Sequence, residues 1–323
     1  MTDEMTIDTE AQDRKAATSR PSERGPDAFG PMRRRSDDPT LGDGAKPPTT
    51  FGWAPTPTLT DRTVFQTPAF VVVDGDDDAA ARVAEGLERL DRPVERIPAG
   101  GHGIAGRSAG PLNHPSVIHV GSTGALREPT AQAVTRTVGA YRPGATVTYD
   151  PSLQPDDLGS PDEVLPHVEG YVRQADVVKV STRDLDRLYP GEEHRDVVRR
   201  WLASGPSIVV VSAGAAGTWA VNSIGTTATA AGPGVDDSAP GVGEALMAGV
   251  IDALWKGGLL GVLNRNDLRT LVPGSLQELV DNAVAAAAVA HRSGGRPPTR
   301  AELAAERGIP QLGAGRPAPA VTA

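Results

Sequence analysis

Short runs of β-branched residues alternate along the chain with longer amphipathic segments. The runs are AFVVV, SVIHVG, ATVTYD, DVVKVS and SIVVVS, which begin at residues 69, 116, 145, 176 and 207. Each is bounded by Gly, Pro or Asp, and all but the last precede a segment with helical spacing, such as DAAARVAEGLERL or PTAQAVTRTVGAY. This alternation predicts parallel strands that are joined by helices and covered on both faces.

After the fifth run, the pattern changes to a hairpin followed by helices. TWAVNSIGTTATAA predicts a β-hairpin, and helical spacing follows over residues 241–255 and again from Ser275. Together these elements predict an α/β fold, a three-layer α/β/α sandwich with a mostly parallel central sheet. Ligands of such folds bind at the carboxyl ends of the strands, so the expected site lies at the loops after Asp150, Ser181 and Ser212 and at the helix start near Gly241.

The two ends of the chain are too polar to supply a core. Residues 1–60 are charged and interrupted by Pro and Gly, and residues 309–323 have a similar composition. Such segments bury too little apolar surface to offset the entropy of ordering. We therefore expect disordered tails at 1–60 and 309–323 and one folded domain over residues 61–308.

Composition and charge exclude several classes of function. The chain is acidic, with a formal net charge of −9, so it lacks the basic face that binding to nucleic acid or to an anionic membrane requires. It contains no cysteine, and its 6 histidines show no metal-binding spacing, so no metal site is predicted. No segment approaches the length of a membrane span, and we expect a cytoplasmic protein.

A second glycine motif, GHGIAG at residues 101–106, has the letters of a dinucleotide-binding loop. It follows a plausible strand, PVERIP, but the next residues, RSAGPLNHP, have no apolar period and contain two prolines. Without a helix N-terminus to face the phosphates, the motif predicts a mobile loop rather than a nucleotide site.

The start of the predicted helix at Gly241 has the chemistry of an anion site. Glycines at 241 and 243 allow close approach of backbone N–H groups to an anion, and the helix dipole adds positive potential. A carboxylate at Glu244 is placed to accept a proton from a hydroxyl group above the loop. Glycine and acidic residues also favour ordinary helix starts, so this pattern alone leaves both interpretations open.

Five segments, in order from about Val117 to Leu303, resemble the ribokinase/PfkB family of carbohydrate kinases, with a lean toward its fructokinase-like branch. VDDSAPGVGEALMAGVIDAL resembles the D-T-x-G-A-G-D-x-F-x-A-G signature, and VTYDPSLQP resembles the strand that ends in D-P-N-x-R-P. ADVVKVSTRDLDRLYPGE resembles the N/S-x-x-E element, and IVVVSAGAAGTWAV resembles the strand that ends in T-x-G-x-x-G. NAVAAAAVAHRSGGRPPTRAEL resembles the helix and turn beside the adenine.

The resemblance implies a ribokinase-like fold, ATP and Mg²⁺ as cofactors, and phosphorylation of a sugar or sugar-like hydroxyl. It implies that Glu244 is the catalytic base and that the N–H groups of Gly241, Val242 and Gly243 form the anion hole. The implied nucleotide-binding residues are Ser181, Asp184, Ser212, Gly214, Gly217, Asn282 and Gly294. The implied substrate-binding residues are Asp74, Asp77, Asp78, Arg82 and Asp150.

The N-terminal half departs from the family pattern. If VAEGLERL is aligned with the sugar-binding segment, Asp77 and Asp78 replace paired glycines and Arg82 replaces an asparagine. The chain then reaches HPSVIHVGS with too few residues for the β-stranded lid, so the lid is expected to be reduced or absent.

Further departures fall on the catalytic motifs. Ser152 and Gln154 replace the Asn and Arg of D-P-N-x-R-P, Asp184 replaces a Glu, Ala239 replaces a Thr, and Glu244 replaces the catalytic Asp. Three hypotheses stay open. The chain is an ATP-dependent sugar kinase, a kinase for a larger acceptor that needs no lid, or a catalytically impaired pseudokinase that binds nucleotide or a protein partner.

Overall fold

Eight strands, four of which contain two or three valines, form a single sheet within the described part of the chain. The computed structural model describes residues 69–73, 79–98, 115–121, 123–153, 161–225, 227–230 and 239–308. The strands are β1 (Ala69–Val73), β2 (Val94–Pro98), β3 (Val117–Val120), β4 (Thr146–Tyr149), β5 (Val177–Ser181), β6 (Ile208–Ser212), β7 (Thr218–Asn222) and β8 (Thr227–Ala230). The helices are α1 (Ala79–Arg89), α2 (Thr130–Tyr141), α3 (Pro161–Gln174), α4 (Thr182–Leu188), α5 (His194–Ser204), α6 (Val242–Lys256), α7 (Arg265–Arg269), α8 (Pro273–Arg292) and α9 (Arg300–Glu306).

The strand order is β2-β1-β3-β4-β5-β6-β7-β8. Pairing is parallel from β2 through β6, and β7 and β8 complete the sheet as an antiparallel hairpin. The mostly parallel sheet and the hairpin predicted from the sequence are therefore confirmed. The predicted tails, 1–60 and 309–323, and the GHGIAG loop lie outside the described residues.

Helices cover both faces of the sheet. On one face, Val117, Val177 and Val210 pack in a core with residues of α1, α6 and α8. On the other face, Ile118 and Val178 pack in a core with residues of α2, α3, α4 and α5. Alternating side chains on each strand therefore enter different cores, which explains why the strands read as continuous apolar runs and confirms the three-layer sandwich.

Helix α6 is the central helix of its layer. Every residue from Val242 to Trp255 is buried, because α1 and α8 pack on either side of the helix and the sheet lies beneath it. No helix among the described residues combines the length and the apolar character that crossing a bilayer requires. The apolar composition of α6 therefore reflects its place in the core.

Gly249 allows α6 and α8 to approach closely. A Cβ atom at this position would lie 2.8 Å from the Cα atom of Ala283 and 3.0 Å from the Cβ atom of Ala286. We expect Gly249→Ala to lower the free energy of unfolding by about 1–3 kcal/mol, as overpacking of a core does. Urea denaturation measures this change.

Gly139, at an exposed position of α2, is the matched control. A Cβ atom there would meet nothing within 4 Å, so Gly139→Ala should raise the helix stability by roughly 0.5–1 kcal/mol. A similar response at both positions would contradict the close-packing explanation for Gly249.

Candidate active site

The carboxyl ends of β4, β5 and β6 and the start of α6 form the polar end of the core. Ser181 and Ser212 are register partners at the ends of β5 and β6, and Asp150 follows β4 directly. The charges of Asp184 and Glu244 both act on the carboxyl group of Asp150, so all three carboxylates lie in one neighbourhood. The structure therefore brings together predicted site residues from four separate parts of the chain.

Glu244 is held on both carboxylate oxygens. Its Oε1 atom accepts a hydrogen bond from the Nε atom of Arg82, on α1, at 3.0 Å, and the Nη2 atom of the same guanidinium lies 3.0 Å from Oε1 in the ion pair. Its Oε2 atom accepts a hydrogen bond from the backbone N–H of Gly241 at 3.0 Å. The Glu244 side chain is 8% exposed and that of Arg82 is 34% exposed, so the pair is open to solvent mainly from the arginine side.

The backbone N–H groups at the start of α6 are partly engaged. In addition to the bond from Gly241, the N–H group of Val242 donates to the carbonyl oxygen of Ala239 at 3.2 Å. Gly243 occupies the first turn of the helix beside them. An incoming anion would therefore meet the positive end of α6, where some N–H donors already have partners within the chain.

Gly241 and Gly295 touch through their backbones. Gly241 has a φ angle of +86°, and a Cβ atom there would lie 2.1 Å from the carbonyl oxygen of Gly295. A Cβ atom on Gly295 would in turn lie 2.2 Å from the carbonyl oxygen of Pro240. This contact places the turn after α8, which also contains Gly294, directly against the start of α6.

A buried ion pair lies under this end of the core. The Nζ atom of Lys179, on β5, lies 3.0 Å from the Oδ2 atom of Asp150, and both side chains are at most 5% exposed. Burial, with a smaller contribution from the charge of Asp184, raises the pKa of Asp150 to about 6 against the opposing effect of Lys179. Burial alone would lower the pKa of Lys179, but the neighbouring carboxylates outweigh it and raise that pKa.

His119 extends the buried polar group along the sheet. Its Nδ1 atom lies 3.0 Å from the Oγ1 atom of Thr148, while its Nε2 atom is buried without a hydrogen-bond partner. Burial, together with the charge of Lys179, lowers the pKa of His119 to about 3, so the imidazole is neutral at physiological pH. It therefore adds a polar group but no charge to this end of the core.

Sequence reasoning missed Lys179 and His119 as members of this group. Each stands within an otherwise apolar, buried strand, DVVKVS or SVIHVG. A charged or ionisable residue in such a run signals a buried partner or a functional role. That signal was present, but the partner could not be identified without the strand order.

The predicted nucleotide-side residues occupy different environments. Ser181 caps α4 by accepting a hydrogen bond from the N–H group of Asp184 at 3.0 Å. The Oγ atom of Ser212 is buried without a hydrogen-bond partner at the end of β6. Gly214 and Gly217 lie in the turn that leads from β6 to β7. An orphan hydroxyl beside a glycine-containing turn is suited to receive a polar ligand group.

Asn282 does not join the other predicted residues. It is fully buried between α8 and α6, where its Nδ2 atom donates to the carbonyl oxygen of Gly249 at 2.8 Å and to Asp252 Oδ2 at 3.2 Å. Asp252 lies about two turns along α6 from Glu244. The contacts of Asn282 therefore stabilise the packing of the two helices away from the polar end of the core.

Three predicted substrate residues, Asp74, Asp77 and Asp78, lie outside the described residues. Among the residues that are described, no cluster of three or more His, Asp or Glu side chains could hold a metal ion. An open groove of about 430 Å³ lies between α5 and the β7–β8 hairpin and is lined in part by Arg195, Trp219 and Val221. Its lining includes none of the predicted site residues.

Known proteins match both the sequence and the fold. The family model described as pfkB family carbohydrate kinase matches residues 108–300. No curated protein matches the chain significantly. The structural matches described next are all less than 25% identical in sequence, so they support the fold alone.

Three solved structures illustrate the likeness. A fructokinase double mutant from Vibrio cholerae O395, bound to fructose, ADP and potassium, has a TM-score of 0.57 at 17% identity, over 74% of this chain and 98% of that one. A fructokinase with bound ATP from Xylella fastidiosa has a TM-score of 0.58 at 16% identity, over 71% and 89% of the two chains. The aminoimidazole riboside kinase of Salmonella enterica, complexed with aminoimidazole riboside and an ATP analogue, has a TM-score of 0.55 at 18% identity, over 75% and 97%.

Proposed function

The chain belongs to the pfkB family of carbohydrate kinases, and on that basis we propose that it transfers the γ-phosphoryl group of ATP to a hydroxyl of a sugar or sugar-like acceptor. The observation that carries this proposal is the position of Glu244. Its carboxylate stands in the first turn of α6, next to helix N–H donors and in the same neighbourhood as Asp150 at the carboxyl end of the sheet. A base and an anion-stabilising helix end are thus side by side.

In the proposed reaction, Glu244 accepts the proton of the acceptor hydroxyl. The hydroxyl oxygen forms a bond to the γ-phosphorus atom, the bond from that atom to the β,γ-bridging oxygen breaks, and ADP leaves. The N–H groups at the start of α6 stabilise the charge on the transferred group, with help from the helix dipole. Gly243, next to Glu244, is the donor in the first turn that we assign to this role.

The residues at the end of β6 fit a nucleotide. We assign Ser212, whose buried Oγ atom lacks a partner, together with the turn at Gly214 and Gly217, to the phosphates of ATP. Mg²⁺ would neutralise phosphate charge, and it is commonly held by phosphates, water and one or two carboxylates. Asp184, a buried carboxylate in the same neighbourhood as Asp150 and Glu244, is the residue that we assign to the ion.

A titration of the full chain with MgATP, followed by an ADP-release assay over ketoses, aldoses and nucleosides, tests the proposal. We expect ATP to bind and ADP to be released only when an acceptor is present. Ser212→Ala should weaken ATP binding about 3–10-fold, because one hydrogen bond contributes roughly 0.5–1.5 kcal/mol. Ser204→Ala, at an exposed position of α5, is the control and should leave binding unchanged.

The assay also separates the proposal from a pseudokinase. One observation favours that second function, since the Glu244 carboxylate and two of the helix N–H groups are already bound within the chain. ATP binding without turnover of any acceptor would support the pseudokinase. Failure to bind ATP would reject every phosphoryl-transfer function for this chain.

Several predictions stay open beside this proposal. The reduced lid, a larger acceptor, a protein partner, the disordered tails and the domain limits at 61–308 are not tested by the described residues. We also propose a cytoplasmic location, because the proposed reaction requires ATP.

A further inference from the structure

One face of α5 forms a wall of the groove beside the β7–β8 hairpin. Its residues recur at intervals of three and four, the spacing of a single helix face, and they are Arg195, Val198, Arg199, Leu202 and Ala203. Each residue of a helix adds about 1.5 Å, so this wall is about 12 Å long. Both positive charges lie toward the start of α5, and the other end of the wall is apolar.

The opposite wall is a face of the hairpin that no helix fully covers. Trp219 and Val221 alternate on β7, and Thr227 on β8 is the register partner of Val221, so their side chains share one face. Trp219 and Val221 are only half-buried there. The other face of the hairpin, with Ala220 and Ala228, packs in the core with α8. Apolar surface therefore remains accessible on the groove side of the hairpin.

Arg195 is held at one end of the groove by an aromatic contact. Its guanidinium carbon lies over the ring of Trp219, 5.6 Å from the ring centroid. This contact orients the guanidinium without supplying an oxygen acceptor for its N–H donors. Within the described part of the chain, no carboxylate pairs with Arg195, whose side chain is exposed, whereas Arg199 on the same helix pairs with Asp196. The Arg195 donors are therefore available to an anion from solvent.

The groove combines the features of a site for a small amphipathic acid. Its volume of about 430 Å³ is typical of pockets for small molecules, which join apolar walls to a few oriented polar groups. The planar fork of an arginine matches the two oxygens of a carboxylate. If a carboxylate binds Arg195, the rest of the ligand extends along the groove between Leu202 and Val221. A charged head and an apolar body are thus both accommodated.

We propose that the groove between α5 and the β7–β8 hairpin is a second binding site, separate from the candidate active site, for a small molecule that carries a carboxylate on an apolar body of up to about 12 Å. Arg195 binds the carboxylate while it stays over Trp219, so binding breaks no contact within the chain. Leu202, Ala203 and Val221 contact the apolar body. The site does not depend on the proposed kinase function.

Matched acids and amides test this site on the full chain. Octanoate and octanamide share a flexible body, and 2-naphthoate and 2-naphthamide share a flat one. Calorimetric titration gives the Kd of each compound. We expect the acid of at least one pair to bind about 10-fold or more tightly than its amide, because a charge-assisted, bidentate hydrogen bond is stronger than a neutral one.

The signal of the Trp219 indole N–H group in the NMR spectrum locates the bound acid. Trp219→Phe assigns this signal by removing it, and titration with the tighter acid should shift it. The Kd of the acid should be the same with and without saturating MgATP, because the groove contains none of the predicted nucleotide-binding residues. A Kd that rises in proportion to the MgATP concentration would place the acid in the nucleotide site and overturn the inference.

Three substitutions separate the charge from the groove. Arg195→Gln should weaken binding of the acid to the level of its amide, and Arg195→Lys should retain part of the preference. Ala203→Trp fills the apolar end and should weaken binding of both compounds. Arg200→Gln is the matched control, since Arg200 lies over the ring of Tyr189 on the same helix but pairs with Glu192 and does not line the groove. Circular dichroism verifies that each variant folds.

The remaining outcomes are equally decisive. Equal binding of each acid and its amide overturns the inference, as does an acid preference that survives Arg195→Gln. Binding of an acid without a shift of the Trp219 signal contradicts the assigned location, and failure of all four compounds to bind rejects the site. None of these measurements requires phosphoryl transfer, so a failure of the proposed kinase function would leave their result unchanged.

Discussion

Glu244→Gln is expected to abolish acceptor-dependent ADP release, with a decrease in kcat of about 100-fold or more, because loss of a general base removes a factor of about 100 to 10,000. Glutamine keeps an oxygen that can accept the hydrogen bond from Gly241, so the start of α6 should retain its conformation. It cannot take the proton of the acceptor hydroxyl. Steady-state rates and MgATP titration, measured on the same preparation, separate lost chemistry from lost nucleotide binding.

Glu88→Gln provides the control for this substitution. Glu88 also forms an ion pair with an arginine, Arg96, but both side chains are exposed and neither belongs to the candidate active site. The control should retain full activity, because exposed pairs contribute little to stability. If Glu244→Gln keeps more than about a tenth of the rate, the base lies elsewhere, and the raised pKa of Asp150, about 6, makes that carboxyl the next candidate.

Lys179→Met is expected to cause the largest loss of stability, about 3–5 kcal/mol at pH 8, because it leaves Asp150 as a buried charge without its partner. The loss should be smaller at pH 5. Burial has raised the folded-state pKa of Asp150 above its unfolded value, so the folded state holds the proton more tightly. The contribution of this group to stability therefore falls as pH rises from the unfolded pKa through the folded pKa.

Removing Lys179 also removes the interaction that lowers the pKa of Asp150. The pH range over which the free energy of unfolding decreases should therefore extend to higher pH in the variant. Urea denaturation at pH 5 and pH 8 measures the difference. Arg199→Met is the control, since the Arg199–Asp196 pair is exposed and should change stability little at either pH. An equal loss for Lys179→Met at both values would exclude Asp150 as the group responsible.

The fold was largely predictable because its strands are buried on both faces. Continuous runs such as AFVVV and SIVVVS predicted β1 and β6 without any knowledge of their neighbours. The start of α8 was predicted less accurately: the sequence pattern placed it at Ser275, and the structure places it at Pro273. Proline is accommodated in the first turn of a helix, where its missing N–H has no intrahelical partner.

Contacts within the candidate site follow from the sequence only where the two residues are close along the chain. Gly241 and Glu244 lie within one turn, so their hydrogen bond follows from the geometry of a helix start. The Arg82–Glu244 contact joins residues 162 positions apart. It depends on α1 packing against α6, which follows from the strand order and not from any motif. The Lys179–Asp150 pair depends in the same way on β4 lying beside β5.

The contact between Gly241 and Gly295 restricts which residues these two positions can hold. As far as stability is concerned, a buried ion pair such as Lys179–Asp150 can often be replaced as a unit by two apolar side chains of similar volume. The glycine contact has no such exchange, since a side chain on either residue would strike backbone atoms rather than another side chain. A change of side chain elsewhere would not relieve either clash, so a residue other than glycine at Gly241 or Gly295 requires the backbones of the two turns to move apart.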